Sequence, residues 1–250
     1  MKNIAIITAR GGSKRIPKKN IKDFCGKPII AYSIEAALTS DLFETVMVST
    51  DSEEIAEIAK YYGASVPFLR DASTSNDFAT TVDVLKEVLK KYQSRGKFFE
   101  WICCLYPTAP FITPKMLKEA MDTLIDSTAE SLMPVVQFGY PPQRALKIEN
   151  GRLEYIYPEY ESTRSQDLEI QYHDCGQFYI CKTKAIEKYG SLLTSKTIPF
   201  VVDEQSVQDI DNLSDWHIAE MKYIFQKHKE LFGEKNAISK MSSVIADLSD

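Results

Sequence analysis

Apolar positions along the chain fall into short uncharged runs, separated by stretches in which they recur at helical spacing. The first run, Ile4-Ala5-Ile6-Ile7, suits a strand buried on both faces. Ile29, Ile30, Ile34, Ala37 and Leu38 then follow a 3.6-residue period and predict a helix over 29–40. Further strands are predicted at 45–50, 64–69, 101–105, 132–138 and 198–202. Helices are predicted over 52–62, ending at Gly63, over 80–92, onward from Thr113-Pro114, over 184–189, and from a Ser214 cap to about residue 229. Asp51 is read as the N-cap of the 52–62 helix, with Glu54 completing a capping box; the alternative is a ligand-facing residue at a strand end. Strand and helix alternate from 2 to 138, which predicts an α/β fold with a mixed, mostly parallel twisted sheet of Rossmann-like type. Ligands of such sheets bind at the carboxyl ends of the strands. Segment 139–170, rich in Tyr, Pro, Glu and Arg, is read as irregular, and 231–250 as a poorly ordered tail.

Composition narrows the picture. The 250 residues suit one domain, 1–250, with a single core. The chain is acidic overall, with net charge −5, yet places five cations between Arg10 and Lys19. One concentrated basic loop on an acidic chain points to a small anionic ligand and away from nucleic acid, which calls for a broad basic face. The five cysteines include no Cys-x-x-Cys pair, so neither a zinc site nor a disulfide framework is expected. Cys103 and Cys104 lie in an apolar run and are expected to pack as small hydrophobes. No apolar run approaches the ~20 residues of a membrane span. A core strand starts after one lysine, so no signal peptide is expected, and the setting expected is cytoplasmic.

The basic loop leaves the end of the first strand as Ala9-Arg10-Gly11-Gly12-Ser13-Lys14-Arg15-Ile16-Pro17-Lys18-Lys19-Asn20. Two glycines let backbone N–H groups crowd a ligand, and consecutive N–H groups form an anion-binding concavity. Arg10 and Lys14 add charge, so the ligand implied is a polyphosphate; the alternative is a solvated basic loop. The spacing fits neither a P-loop nor a dinucleotide-binding G-x-G-x-x-G motif. Near the C-terminal end, Asp209-Ile210-Asp211 places two carboxylates on one side of an extended chain. That pair either forms a helix-capping turn or holds Mg²⁺, which binds through one or two carboxylates plus substrate phosphates.

The loop resembles the A-R-G-G-S-K-x-[IL]-P-x-K-N signature of the sugar-acid cytidylyltransferases. The resemblance extends over nearly the whole chain. It implies the nucleotide-diphospho-sugar transferase fold, CTP and a nonulosonic acid as substrates, Mg²⁺, and a homodimer built by segment 139–170. Arg10, Gly11, Gly12, Ser13, Lys14, Lys19 and Asn20 would serve the nucleotide. Arg70, Asp77 and Thr81 keep the spacing of the family's cytosine and ribose contacts, whereas Arg70 by itself reads as a surface cation. Asp209 and Asp211 fall where the family holds its metal, making Arg10, Lys14 and Asp211 the implied catalytic groups.

On the sugar side, Leu105-Tyr106-Pro107-Thr108-Ala109-Pro110 resembles the family's Leu-Gln-Pro-Thr-Ser-Pro, with Tyr106 in place of Gln and Thr108 kept. His173-Asp174-Cys175-Gly176-Gln177-Phe178-Tyr179 looks like the branch of the family that acts on pseudaminic acid. His173 replaces an arginine there, while Gly176 and Tyr179 are kept; a hydrogen-bonded structural histidine is the other reading of His173. Gln143, Arg144, Lys147 and Arg164 are candidates to contact the sugar carboxylate. The alternatives are a sialic, legionaminic or Kdo cytidylyltransferase and, from another class, a non-catalytic nucleotide-binding protein on this scaffold.

Overall fold

The computed structural model describes residues 2–228. The expected disorder of 231–250 therefore lies outside the described residues, as does the far end of the last expected helix. The first strand, β1 (Asn3–Thr8), is buried along nearly its whole length. It pairs in parallel with β4 (Thr45–Ser49) on one side and β5 (Trp101–Leu105) on the other. Between β1 and β4 lie a two-strand ribbon, β2 (Asp23–Phe24) with β3 (Lys27–Pro28), and helix α1 (Ile29–Thr39). Helices α2 (Glu53–Tyr61) and α3 (Thr81–Gln93) precede β5, and α4 (Pro114–Ile125) follows it. The chain continues through β6 (Ser131–Gln137), the hairpin β7 (Leu146–Glu149) and β8 (Arg152–Tyr155), β9 (Tyr172–Asp174), β10 (Phe178–Lys182), α5 (Thr183–Tyr189), β11 (Thr197–Val201) and α6 (Leu213–Lys227).

The main sheet runs β11-β6-β10-β5-β1-β4, with β9 also on β6. β10 is antiparallel to both β5 and β6, and β9 is antiparallel to β6. The other five strands share one direction, so the sheet is mixed and mostly parallel, as expected.

Strand alternation splits the core. Ala5, Ile7, Val48, Cys103 and Leu105 pack on one face with side chains of α1, α2 and α4. Ile4, Ile6, Met47, Ile102 and Cys104 pack on the other with α3 and α5. Cys103 and Cys104 thus face opposite ways, and all five cysteines are free thiols. Burial pushes the Cys104 thiol up to about 12, so it stays protonated and packs as a small hydrophobe.

A smaller cluster at the carboxyl end of the sheet gathers Ile16, Phe24, Ile29, Tyr32, Phe111, Ile210 and Trp216. Three rings, Tyr32, Trp216 and Tyr223, stand edge-on to Phe24 at 5.5–5.6 Å.

Four sequence expectations need correction. Segment 64–69 is not a strand: Ser65 makes a single bridge to Met47, and Pro67 offers no N–H to extend it. Asp51 does not cap α2; the cap is Ser52, whose hydroxyl accepts from the Ile55 N–H, while Glu54 pairs with Lys18. Asn212, not Ser214, caps α6 through a capping box with Asp215. Segment 139–170 contains the β7–β8 hairpin, turned at Asn150-Gly151, both at positive φ as a type I′ turn demands.

Candidate active site

The carboxyl ends of β1 and β5, the start of α3 and the basic loop enclose a cleft of about 630 Å³. Arg10, Ser13, Lys14, Lys19, Asn20, Arg70, Asp77, Thr81, Tyr106 and Thr108, all singled out from the sequence, line it. Gly11, Gly12, His173, Gly176, Tyr179, Asp209 and Asp211 do not.

The loop is shaped by partners at its two ends. Asn20 is buried, and its side-chain amide donates to the Arg10 carbonyl at 2.8 Å, so it braces the loop as well as lining the cleft. The Gly11 N–H donates to Asp51 Oδ1 at 2.8 Å and is spent there, not in the cleft. A Cβ on Gly11 would lie 3.1 Å from that of Ser52, so this close approach to the start of α2 favours glycine. Gly12 has open space around it.

The loop's cations divide into two groups. Arg10 and Lys14 both pair with Asp77, at 2.7 and 2.5 Å. Those two partners, Lys14 first, hold the exposed Asp77 carboxyl below the usual range. Arg15 pairs with Asp211 at 2.7 Å, and Lys19 donates to the Ile210 carbonyl at 2.6 Å. Burial lowers the Lys19 pKa, against the raising influence of Asp211 and Asp209.

Ile210 is fully buried while Asp209 and Asp211 flank it on the exposed side, the alternation that the sequence implies. Desolvation, then the charge of Asp211, raises the Asp209 pKa. Two carboxylates that resist sharing their charge form a natural seat for a cation. Among the described residues no three His, Cys, Asp or Glu side chains gather as a complete cage. Asp211 is paired with Arg15 here, and two carboxylates are a donor set that Mg²⁺ would share only with oxygens from water and phosphate.

Arg70 is no free surface cation. Its Nε donates to Ser49 Oγ at 3.1 Å and its Nη2 to the Ser49 carbonyl at 2.6 Å, which fixes it at the end of β4. Tyr106 stands edge-to-face on Tyr179 at 5.5 Å, just behind the cleft wall. Gly176 sits beside Asp209. His173 lies outside the cleft: its ring packs on Phe138 with centroids 4.6 Å apart, and Nδ1 meets the Asp174 carbonyl. β9 carries it on an exposed face, which is why its place in the motif did not deliver it to the cleft.

Of the sugar-carboxylate candidates, Gln143 is buried and tied to the Glu169 carbonyl, and Arg144 meets Ser165. Lys147 pairs with Glu149 and Glu154, and Arg164 with Asp167. None lines the cleft. Sequence reasoning passed over Arg15, a variable position of the loop signature, and Asp51 as a loop anchor. It also passed over Asp174, whose signal was an Asp-x-Gly turn.

Comparison with known proteins places this geometry. A family model described as cytidylyltransferase matches residues 4–241. The chain is 42% identical over 224 residues to the pseudaminic acid cytidylyltransferase of Campylobacter jejuni serotype O:2, covering 89% of this chain and 97% of that one. It is 36% identical over 228 residues to the CMP-N,N′-diacetyllegionaminic acid synthase of Legionella pneumophila, covering 88% and 95%. Among solved structures, a CMP:2-keto-3-deoxy-manno-octonic acid synthetase complexed with CTP superposes with a TM-score of 0.64 at 17% identity, over 91% of this chain and all of that one. That likeness establishes the nucleotide-diphospho-sugar transferase fold.

Asp77 stands on the cations that would face an incoming polyphosphate. Asp77→Asn is expected to tighten the binding of inorganic tripolyphosphate, on the order of two- to fivefold at low salt, as befits exposed ion pairs. Calorimetric titration measures it, and weaker binding would show that Asp77 does not compete for the loop.

Proposed function

The chain belongs to the cytidylyltransferase family and is a nucleotidyltransferase; from that premise we propose that it transfers CMP from CTP to the anomeric hydroxyl of a nonulosonic acid, pseudaminic acid, with release of pyrophosphate. The observation that carries this reading is the cleft itself. Loop cations line it, Arg15 ties that loop to Asp211, and Tyr106 lines it where the acceptor sugar would lie. The substrate assignment draws on the 42% identity to the Campylobacter pseudaminic acid enzyme.

In this reading the triphosphate takes Arg10 and Lys14 from Asp77. Their charge offsets the negative charge that builds on departing pyrophosphate, the main catalytic demand of phosphoryl transfer. Arg70, fixed by Ser49, and Thr81, at the start of α3, serve the nucleoside. Lys19 and Asn20 hold the loop against the acid pair and against itself. The acceptor hydroxyl attacks the α-phosphorus, the bond to the pyrophosphate oxygen breaks, and the hydroxyl proton passes to solvent. Tyr106 and Thr108 orient the acceptor for that attack. Asp209 and Asp211 would hold Mg²⁺, which when bound neutralises phosphate charge and acidifies a hydroxyl.

The sugar assignment follows from the pocket chemistry. Pseudaminic acid carries two acylamino groups and a terminal methyl where sialic acid has a hydroxylated tail, so an aromatic wall suits it. Pyrophosphate release with pseudaminic, legionaminic, N-acetylneuraminic and Kdo acids, side by side, should favour pseudaminic acid over N-acetylneuraminic acid in kcat/KM by on the order of a hundredfold or more. Equal or better turnover of N-acetylneuraminic acid overturns the substrate and leaves the transferase standing.

The metal reading has its own test. Asp211→Asn keeps the shape and removes one charge, and should lower turnover on the order of a hundredfold at fixed Mg²⁺. Full activity in that variant, or in excess chelator, removes the metal from the mechanism.

We also infer a homodimer. On the β7–β8 hairpin, Leu146 opposes Tyr155 and Ile148 opposes Leu153, which makes one face apolar, while Lys147 and Glu154 pair on the other. Ile148 and Leu153 are 78% and 67% exposed, an apolar surface of the kind that interfaces cover. Light scattering should return about twice the 28.4 kDa chain mass. A monomer at assay concentration with full activity excludes the pairing. We assign the enzyme to the reducing cytoplasm on its five free thiols.

A further inference from the structure

Within the motif that runs from His173 to Tyr179, Asp174 is a carboxylate to which the transfer reaction gives no task. β9 ends on it, and its two carboxylate oxygens are both engaged. Oδ1 accepts from the Gly176 N–H at 2.8 Å, and Oδ2 accepts from the Tyr179 hydroxyl at 2.6 Å. Tyr179 is buried, and its ring stands edge-on to that of Tyr106 with centroids 5.5 Å apart. Tyr106 and Thr81 line the cleft, while Asp174 and Tyr179 lie behind it. An exposed carboxylate therefore reaches the cleft wall through two side chains, by a hydrogen bond to Tyr179 and a ring contact from Tyr179 to Tyr106.

The carboxylate fixes the first of those contacts. An ionised carboxylate only accepts, so the Tyr179 proton points at Asp174 and the phenol is held in one orientation. The held ring in turn backs Tyr106, which lines the cleft. The second oxygen has a separate effect. It pins Gly176 in a left-handed conformation at φ +61°, where a Cβ would come 4.0 Å from Asp209 Oδ1.

We propose that Asp174 is a positioning residue for the acceptor sugar. Through Tyr179 it holds the ring that backs Tyr106 at the cleft wall, and through Gly176 it holds the turn beside Asp209. The ligand class is a sugar acid rich in acylamino and hydroxyl donors. This rests on the reading of Tyr106 as sugar-side. Nucleotide binding on the Arg10 side stands apart from these contacts.

The test uses the wild type, Asp174→Asn, Tyr179→Phe and the double variant, with the best sugar of the four-sugar panel. Asparagine keeps the shape, but its one acceptor oxygen cannot serve both the Tyr179 hydroxyl and the Gly176 N–H. Asp174→Asn is expected to raise the sugar KM about tenfold and to leave the CTP KM within about twofold. Tyr179→Phe should reproduce the effect on the sugar, and the double variant should add little, because both act through one contact. Unchanged sugar KM, equal changes in both KM values, or full additivity in the double variant overturns the proposal. If Asp174→Asn fails to fold by its melting curve, Tyr179→Phe carries the comparison alone. If the wild type turns over none of the four sugars, the transferase reading fails as well, an outcome distinct from a wild type that is active and variants that are unaffected.

Discussion

Two isoleucines hold the site together. Ile16 in the basic loop is 1% exposed, and Ile210 between the two aspartates is fully buried; both enter the cluster around Phe24 and Trp216. Each belongs to a segment otherwise made of charged and polar residues, which has little reason of its own to stay on the protein. Burying one such side chain is worth about 1.5–3 kcal/mol. The exposed Arg15–Asp211 contact that joins the same two segments has a typical worth of about 0–1 kcal/mol. Hydrophobic burial, not ion pairing, therefore sets where the cations and carboxylates stand, and the charges are left free for the ligand.

That division of labour explains how so charged a site can be both ordered and exchangeable. Arg10 and Lys14 share Asp77, and Arg15 and Lys19 face the Asp209–Asp211 segment, so the loop's charge is balanced before any substrate arrives. The contacts to Asp77 are exposed and cheap to break. A triphosphate offers more charge than one carboxylate and can take the same cations without moving the backbone, because Asn20, Asp51 and Ile16 hold it. Had the cations been anchored by buried pairs instead, opening them would have opposed binding.

The parallel half of the fold and the cleft wall were legible because their signals are local. An uncharged β-branched run gave β1, helical periodicity gave α1 and α3, and Thr113-Pro114 marked the start of α4. Ten of the residues chosen from motifs do line the cleft. What was missed depends on contacts distant in sequence, or on a signal outweighed by another. Asp51 and Ser52 are both good caps, and only the approach of Gly11 from 40 residues away decides that Asp51 turns to the loop. Segment 64–69 reads as a strand by composition, but Pro67 breaks the ladder. Asn150-Gly151 is a strong hairpin signal that the polar surroundings of 139–170 concealed. Arg70 looked like a surface cation because nothing near it in sequence announces the Ser49 that receives it.

The proposed sugar side depends on the least legible feature, the insertion of antiparallel β10 between β5 and β6. In that register Tyr179 lies beside Cys104, and the Tyr106 N–H donates to the Gln177 carbonyl at 2.8 Å as β5 runs out. Two residues more than 70 positions apart thereby become edge-to-face rings. The same insertion brings Gly176 to Asp209 and leaves His173 on the outer strand, with Phe138 and not with the cleft. A one-residue slip of β10 would turn Tyr179 to the opposite face of the sheet and break its hydroxyl contact with Asp174. The side of the cleft proposed for the phosphates comes from a contiguous motif and can be read along the chain. The side proposed for the acceptor is set by a strand register, and the motif that names its residues does not by itself say which of them reach the cleft.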